Sequence, residues 1–319
     1  MFKEIIDKIL EKNPRILVIG DLMLDRFIFG NVERISPEAP VPIVKCLNEK
    51  NMLGGCGNVI RNLDNIGVQT SIISAIGKDI AGELIIDQLK GKNIPTSGIL
   101  IDKNIWTTEK MRILADAQQV VRVDWDAKEF NKRSYDKILG SLPNQIKNVD
   151  GIIVSDYNKG VCSQIVLKEA MAIAKANNIP VFVDPKGKDW SKYHNAHLIT
   201  PNKKEAELVI GKKLHSDKDF ESAGKKICRT FDIYSCLITR GSTGMSYISS
   251  GNTFHLKSKA KEIFDVSGAG DTVISMIAAS LVSNVEIEKA SKFANKAAGI
   301  VVGHIGTTAI TIEELLEGN

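Results

Sequence analysis

Toward the end of this 319-residue chain, two aspartates bracket a run of small residues, Asp265-Val-Ser-Gly-Ala-Gly-Asp271, and an apolar stretch, Thr272-Val-Ile-Ser-Met-Ile-Ala-Ala, follows at once. A Gly-Ala-Gly turn that feeds a helix gathers backbone N–H groups at the helix N-terminus, where anions are attracted. The small residues Gly268, Ala269 and Gly270 let a phosphate approach the backbone. Asp271, where the helix begins, adds a carboxylate able to accept a proton from an attacking hydroxyl. An anion hole beside a base suits phosphoryl transfer, which depends mainly on positioning and charge stabilisation. The same aspartate would also serve as a plain N-cap after a glycine-rich turn.

Two other constellations stand at turns. Gly54-Gly55-Cys56-Gly57-Asn58 precedes an apolar helix that runs through Leu63, and by itself it reads as a strand-to-helix turn. Asn202-Lys203-Lys204-Glu205 follows Thr200-Pro201. A carboxylate one helical turn from an asparagine can organise Mg²⁺ through water; the same spacing makes a capping box.

The elements that must carry these residues come from periodicity. Short apolar runs, each ending in polar residues, recur at Arg15–Asp21, Thr70–Gly77, Gly151–Tyr157, Pro180–Lys186, His197–Asn202 and Ser235–Gly241. They read as buried parallel strands. Helical patterns lie between them at Ala81–Gly91, Ser163–Asn178, Lys204–Ile210 and Asp217–Phe231, and the stretch from Thr272 on is mainly helical. Alternating strands and helices predict an α/β fold with a mostly parallel central sheet between helical layers. Ligands bind beyond the carboxyl ends of such strands. Asp21, Asp156, Asp184-Pro185-Lys186, Asn202 and Thr239-Arg240-Gly241 all fall there. Two segments break the rhythm, Phe27–Leu47 and Ile105–Asp126, and both predict a small antiparallel sheet projecting as a discontinuous lid. One domain over 1–319 is expected.

Composition excludes several classes. The chain is 43% hydrophobic and 25% charged, with a formal charge of +4 and no long basic run, so nucleic acid is not an expected partner. No stretch reaches the ~20 apolar residues of a membrane span. The N-terminal Phe2, Ile5, Ile6, Ile9 and Leu10 are spaced as an amphipathic helix rather than a signal peptide. Five cysteines, widely spaced and without C-x-x-C, fit reduced thiols in a cytoplasmic protein.

Taken together, the motifs resemble those of the PfkB, or ribokinase-like, carbohydrate kinases. Asp265–Asp271 is similar to that family's D-T-x-G-A-G-D signature, with Val266 in place of the usual threonine. Gly54-Gly55-x-x-Asn58 resembles its sugar-contacting turn, Asn202-x-x-Glu205 its N-x-x-E motif, and Thr239-Arg240-Gly241-Ser-Thr-Gly244 the loop that passes the nucleotide phosphates. Asn295, Ala298 and Gly299 fall on the helix where the family packs adenine. The resemblance implies a three-layer ribokinase-like fold and ATP and Mg²⁺ as cofactors. It makes Asp271 the base, the amides of Gly268, Ala269 and Gly270 the anion hole, and Glu205 a water-mediated Mg²⁺ ligand. Activation by a monovalent cation and a homodimer through the β lid also occur in such enzymes.

Within the family, Arg34-Ile-Ser-Pro-Glu-Ala-Pro-Val-Pro-Ile43, Gly20-Asp-Leu-Met-Leu-Asp25-Arg26, Thr108-Glu-Lys110-Met-Arg112, Ser155-Asp156-Tyr-Asn-Lys-Gly160 and Asp184-Pro-Lys186-Gly187 resemble the kinases of D-glycero-β-D-manno-heptose 7-phosphate. Those enzymes phosphorylate the C1 hydroxyl on the route to ADP-heptose and lipopolysaccharide core. A substrate that already carries a phosphate needs a second cationic subsite, for which Arg34, Lys110, Arg112 and Lys186 are the candidates. Asp25 is assigned to sugar hydroxyls. The H-x-G-H motif of the nucleotidyltransferase often fused to this kinase is absent, so that step is expected on a separate protein. Competing readings are another sugar kinase of the family and a non-catalytic nucleotide or sugar sensor. A dinucleotide oxidoreductase is disfavoured because the first strand lacks G-x-G-x-x-G.

Overall fold

A computed structural model describes residues 1–115, 118–126, 130–258, 266–304 and 306–317. The elements run α1 (Phe2–Lys12), β1 (Arg15–Gly20), β2 (Leu22–Ile35), β3 (Pro42–Gly55), α2 (Cys56–Asn65), β4 (Gln69–Gly77), α3 (Ile80–Gly91), β5 (Ile99–Asp102), β6 (Thr108–Ala115), β7 (Gln118–Trp125) and α4 (Lys132–Ile146). They continue with β8 (Gly151–Ser155), α5 (Gln164–Ala176), β9 (Val181–Asp184), β10 (Leu198–Ile199), α6 (Lys203–Ile210), α7 (Asp217–Phe231), β11 (Ser235–Thr239), β12 (Met245–Ser249), β13 (Thr253–Leu256), α8 (Ala269–Val282), α9 (Ile287–Val301) and α10 (Ile312–Leu316).

Nine strands form the central sheet in the order β13-β12-β11-β10-β9-β8-β1-β4-β5. The pairs from β5 to β11 are parallel, and β12 and β13 add an antiparallel edge. Side chains alternate between two apolar layers, as the two-residue period of a strand requires. Ile16, Val18, Phe182 and Leu237 face a core completed by α1, α2, α3, α8 and α9. Leu17, Ile19, Val181, Val183, Cys236 and Ile238 face the other, completed by α4, α5, α6 and α7. Both faces of the sheet are thus covered, and the strand ends carry polar residues such as Asp21, Asp156 and Asp184.

The second sheet has the order β3-β2-β6-β7. Two antiparallel pairs, β2–β3 and β6–β7, are joined by the parallel pair β2–β6. Only Asp21 separates β1 from β2, so this sheet grows directly out of the core. Its ladder is regular at that root, where Leu22 faces Gly55 and Asp25 faces Met52, and it is interrupted by register shifts at Phe29/Gly30 and Val32/Arg34. All eight residues of β7 are exposed. The expected lid segments therefore correspond to longer strands, which reach back to Leu22 and Gly55 because their roots are buried like core strands.

Candidate active site

Helix α8 starts after Gly268, whose φ of 81° places it in the left-handed region. A Cβ at Gly268 would come within 2.6 Å of Asn58 Nδ2, so only glycine fits both the backbone and the neighbour. Gly268, not Asp271, is the N-cap, and the aspartate is released from capping. It lies in the first turn, 3% exposed. Asn58 Nδ2 donates to its Oδ2 at 2.9 Å, and the Tyr157 hydroxyl donates to its Oδ1 at 2.8 Å. Burial pushes its pKa up to about 6; the bonds from Asn58 and Tyr157 pull it back, the charge of Asp25 pushes it further, and Lys110 opposes that push. A carboxylate of that strength is mostly ionised at neutral pH yet basic enough to take a proton. Burial and the nearby Asp271 and Asp184 hold the Tyr157 phenol well above its usual range, so it stays a donor.

Across from this group lies Asp25, also 3% exposed. Arg112 Nη1 donates to its Oδ1 at 2.7 Å and the Thr307 hydroxyl to its Oδ2 at 3.3 Å. Arg112 stacks over the Phe27 ring at 5.1 Å. Gly54 faces the same carboxylate; a Cβ there would approach Asp25 Oδ2 to 2.3 Å. The glycine turn before α2 thus admits Asp25 on one side while α2 itself delivers Asn58 to Asp271. Lys110 holds its ammonium 5.4 Å above the Tyr157 ring, and burial pulls its pKa down.

Beyond Asp271 a cavity of about 370 Å³ opens at the carboxyl ends of the central strands, lined by Ala269 and Gly270. It continues past Asp184, Lys186, Asn202 and Glu205, then Thr239, Gly241 and Gly244, to Asn295, Ala298 and Gly299. This is the size range of small-molecule sites. Asn202 and Glu205 form a full capping box at the start of α6, and Glu205 also pairs with Lys186 at 3.0 Å. Asn295 donates to the Lys257 carbonyl at 2.7 Å. Asp184 is pushed well above the usual carboxylate range by burial, then by Asp271 and Glu205. Asp184 and Glu205 offer the cavity the hard oxygen donors that suit Mg²⁺.

Several expected residues lie elsewhere. Arg34 is exposed near the far end of the β2–β3 ribbon, paired with Ile43 and remote from the root that carries Asp25. Lys186 stands at the cavity with Glu205 rather than with the Arg112 group. Arg240 turns away to Asp217 at 2.6 Å and to Ser246, over the Phe220 ring. Lys203 reaches toward Glu207 at 3.9 Å, and Lys204 is exposed; neither lines the cavity. Helix periodicity explains this, because only one face of α6 meets the strand ends. Asp156 borders the cavity with its carboxylate already taken by Lys192, the Tyr193 hydroxyl and the Asn158 amide. The Ala269 amide makes a long 3.4 Å contact with the Val266 carbonyl. Asp265 lies outside the described residues.

Tyr157 carried no role in the motifs, although Ser155-Asp156-Tyr157 ends a buried strand, and that position was its signal. Among the described residues, Asp21, Asp156 and Cys162 come close enough together to hold a metal ion. Asp21 nevertheless accepts the amides of Tyr157, Lys159 and Val161, each at 3.0 Å. The group serves the loop after β8. No helix among the described residues is long and apolar enough to cross a membrane.

Residues 13–314 match the family described as pfkB family carbohydrate kinase. The chain is 41% identical over 312 residues to the bifunctional protein HldE of Aliarcobacter butzleri, covering 97% of this chain and 65% of that protein. It is 40% identical over 302 residues to the protein of the same name from Geobacter metallireducens, covering 94% and 62%. The chain thus spans somewhat under two thirds of the length of these relatives. Among solved structures, phosphofructokinase-2 from Escherichia coli in complex with potassium superposes with a TM-score of 0.79 at 20% identity, covering 95% of this chain and 96% of that one. Arabidopsis thaliana ribokinase complexed with ribose and ATP gives 0.72 at 17%, covering 95% and 97%. These likenesses bear out the ribokinase-like fold.

Proposed function

The chain belongs to the pfkB family of carbohydrate kinases, and from that premise we propose that it transfers the γ-phosphoryl group of ATP to the C1 hydroxyl of D-glycero-β-D-manno-heptose 7-phosphate. The observation that carries the chemistry is Asp271: a buried carboxylate in the first turn of α8, held by two neutral donors, beside a cavity lined by its partner Tyr157 and by Ala269 and Gly270. Asp271 accepts the proton as the hydroxyl oxygen bonds to the γ-phosphorus and the bond to the leaving ADP breaks. The first-turn amides of α8, at Gly268 to Gly270, face the charge that develops on the phosphoryl oxygens. Asp184 and Glu205 would hold Mg²⁺, which supplies charge neutralisation on the triphosphate. Thr239, Gly241 and Gly244 border the phosphate path, and Asn295 and Gly299 the base.

The acceptor's identity rests on the segments at 20–26, 34–43, 108–112, 155–160 and 184–187 and on the HldE relatives. Asp25, with Gly54, Gly55 and Asn58, contacts sugar hydroxyls, while Lys110 and Arg112 draw the substrate's own phosphate to the root of the lid. Only the kinase step is assigned to these residues; nucleotidyl transfer to the product belongs to a different stretch of polypeptide. The β-lid is proposed as a homodimer contact, since its outer strand exposes Val121, Val123 and Trp125. A cytoplasmic enzyme is proposed.

The test is ADP release with heptose 7-phosphate, fructose 6-phosphate and mannose side by side, with Mg²⁺ and with or without potassium. Heptose 7-phosphate is expected to be preferred in kcat/KM by at least about 10²-fold. Equal or better turnover of fructose 6-phosphate would replace the heptose assignment with another sugar phosphate, and no ADP with any sugar would favour a sensor.

A further inference from the structure

We propose that Tyr157 is a positioning residue for Asp271, a neutral donor that fixes the direction of the base and governs the pH range in which it works. The inference rests on the reading of Asp271 as the base. Tyr157 donates to Asp271 Oδ1 while Asn58 takes Oδ2, so the two bonds together define the plane of the carboxylate. An oxygen on each side keeps a lone pair for an incoming proton.

The loop that presents Tyr157 is held far more firmly than a strand-to-helix connection requires. Asp21 binds three of its amides from below, and Asp156 binds the Asn158 amide at 2.7 Å. Asp156 is in turn fixed by Lys192 and by the Tyr193 hydroxyl at 2.6 Å. Asn158 and Gly160 take left-handed conformations with φ of 57° and 117°. Asparagine and glycine are the residue types that admit that backbone, and the hydrogen bonds from Asp21 and Asp156 fix it here. The enforced outcome is a tyrosine hydroxyl 2.8 Å from the base.

The charged groups that face this pair come from four elements: Asp25 on β2, Lys110 on β6, Asp184 on β9 and Asp21 beneath the loop. Arg112 stands behind Asp25 at 2.7 Å, and Asp184 is held toward its neutral form, so burial rather than net charge is what favours a protonated Asp271. A tyrosine donor counters this without adding a charge, since a hydrogen bond to the ionised form favours it. A cation in the same place would suppress basicity along with the proton.

The experiment measures kcat and sugar KM from pH 5.5 to 9 for the wild-type chain, Tyr157→Phe and Asp271→Asn, with thermal melts as the folding control. Tyr157→Phe keeps the ring and is expected to move the acid limb of kcat to higher pH by about half a unit or more. Its loss at pH 6 should be about twofold or more larger than at pH 8.5, with KM within about twofold. A Phe profile that superimposes on the wild type, or one lowered equally at every pH, overturns the proposal. Asp271→Asn retaining the wild-type rate removes the base itself, which is a separate failure. Should the Phe variant not fold, Tyr193→Phe, which frees Asp156 behind the loop without changing any charge, must displace the limb in the same direction; an unmoved limb there also overturns it.

Discussion

Asp271 and Asp25 are buried to the same degree, 3% exposed each, and the protein holds them in opposite ways. The core provides Asp271 with an amide and a phenol, both neutral. The root of the lid provides Asp25 with a guanidinium at 2.7 Å. A buried carboxylate without a cation keeps an elevated proton affinity; one paired with arginine has its charge compensated on the spot. Under the proposed function the first arrangement suits a group that exchanges a proton, and the second holds a carboxylate in place for sugar hydroxyls. Residue type and burial alone do not tell the two jobs apart. The partners do, and they come from different elements: α2 and the loop after β8 for Asp271, β6 for Asp25.

Breaking the base has the largest expected effect. Asp271→Asn should lower kcat by about 10²-fold or more while ATP affinity holds; an Asn variant with near-normal kcat would falsify the division of labour. The same change should raise stability. Asp271's pKa in the folded chain, about 6, lies above that of an ordinary aspartate. The native state therefore holds the proton longer than the unfolded one, and stability falls as pH rises between those values. The raised value corresponds to a penalty of at most about 3 kcal/mol, present above pH 6 and absent below about pH 4. Melting temperatures of Asp271→Asn should exceed wild type at pH 7.5 and converge with it at pH 4. Next comes Arg112→Ala, which leaves Asp25 buried with an uncompensated charge. A destabilisation of about 3–5 kcal/mol is predicted, with sugar-phosphate KM raised more than kcat is lowered; a variant with intact folding and unchanged KM would remove Arg112 from the phosphate subsite. The smallest effect belongs to Gly268→Ala, which strains a φ of 81° and crowds Asn58 Nδ2 at 2.6 Å. It should cost roughly 1–3 kcal/mol and slow kcat about tenfold by tilting the Asn58–Asp271 bond, with sugar KM nearly constant; kinetics indistinguishable from wild type would show that this bond does not orient the base.

The central sheet was legible because buried parallel strands are short apolar runs with polar ends, and β1, β4, β8, β9 and β11 start or stop within three residues of the expected limits. Helix α4 was not, since Pro143 lies inside it and proline ordinarily argues against a helix. The strands β12 and β13 carry mixed polarity on an edge, where periodicity is weak. At the site, the glycine turns and Asp271 could be read from spacing because backbone geometry dictates them. Long side chains could not. Arg240 sits in the right loop and points to Asp217, Arg34 is in the right segment and far out on a ribbon, and Lys186 answers to Glu205. Tyr157 escaped notice because its importance lies in a hydroxyl that meets a residue 114 positions away in the chain.

The lid ribbon is paired in strict register from Leu22 to Ile28 and slips only at Phe29/Gly30 and beyond. It resembles a rod gripped at the handle and pliant toward the tip. Asp25, four residues beyond Asp21, lies in the regular part of that ribbon, paired with Met52 and Lys110, so the irregular pairing begins beyond the place where a sugar would be read.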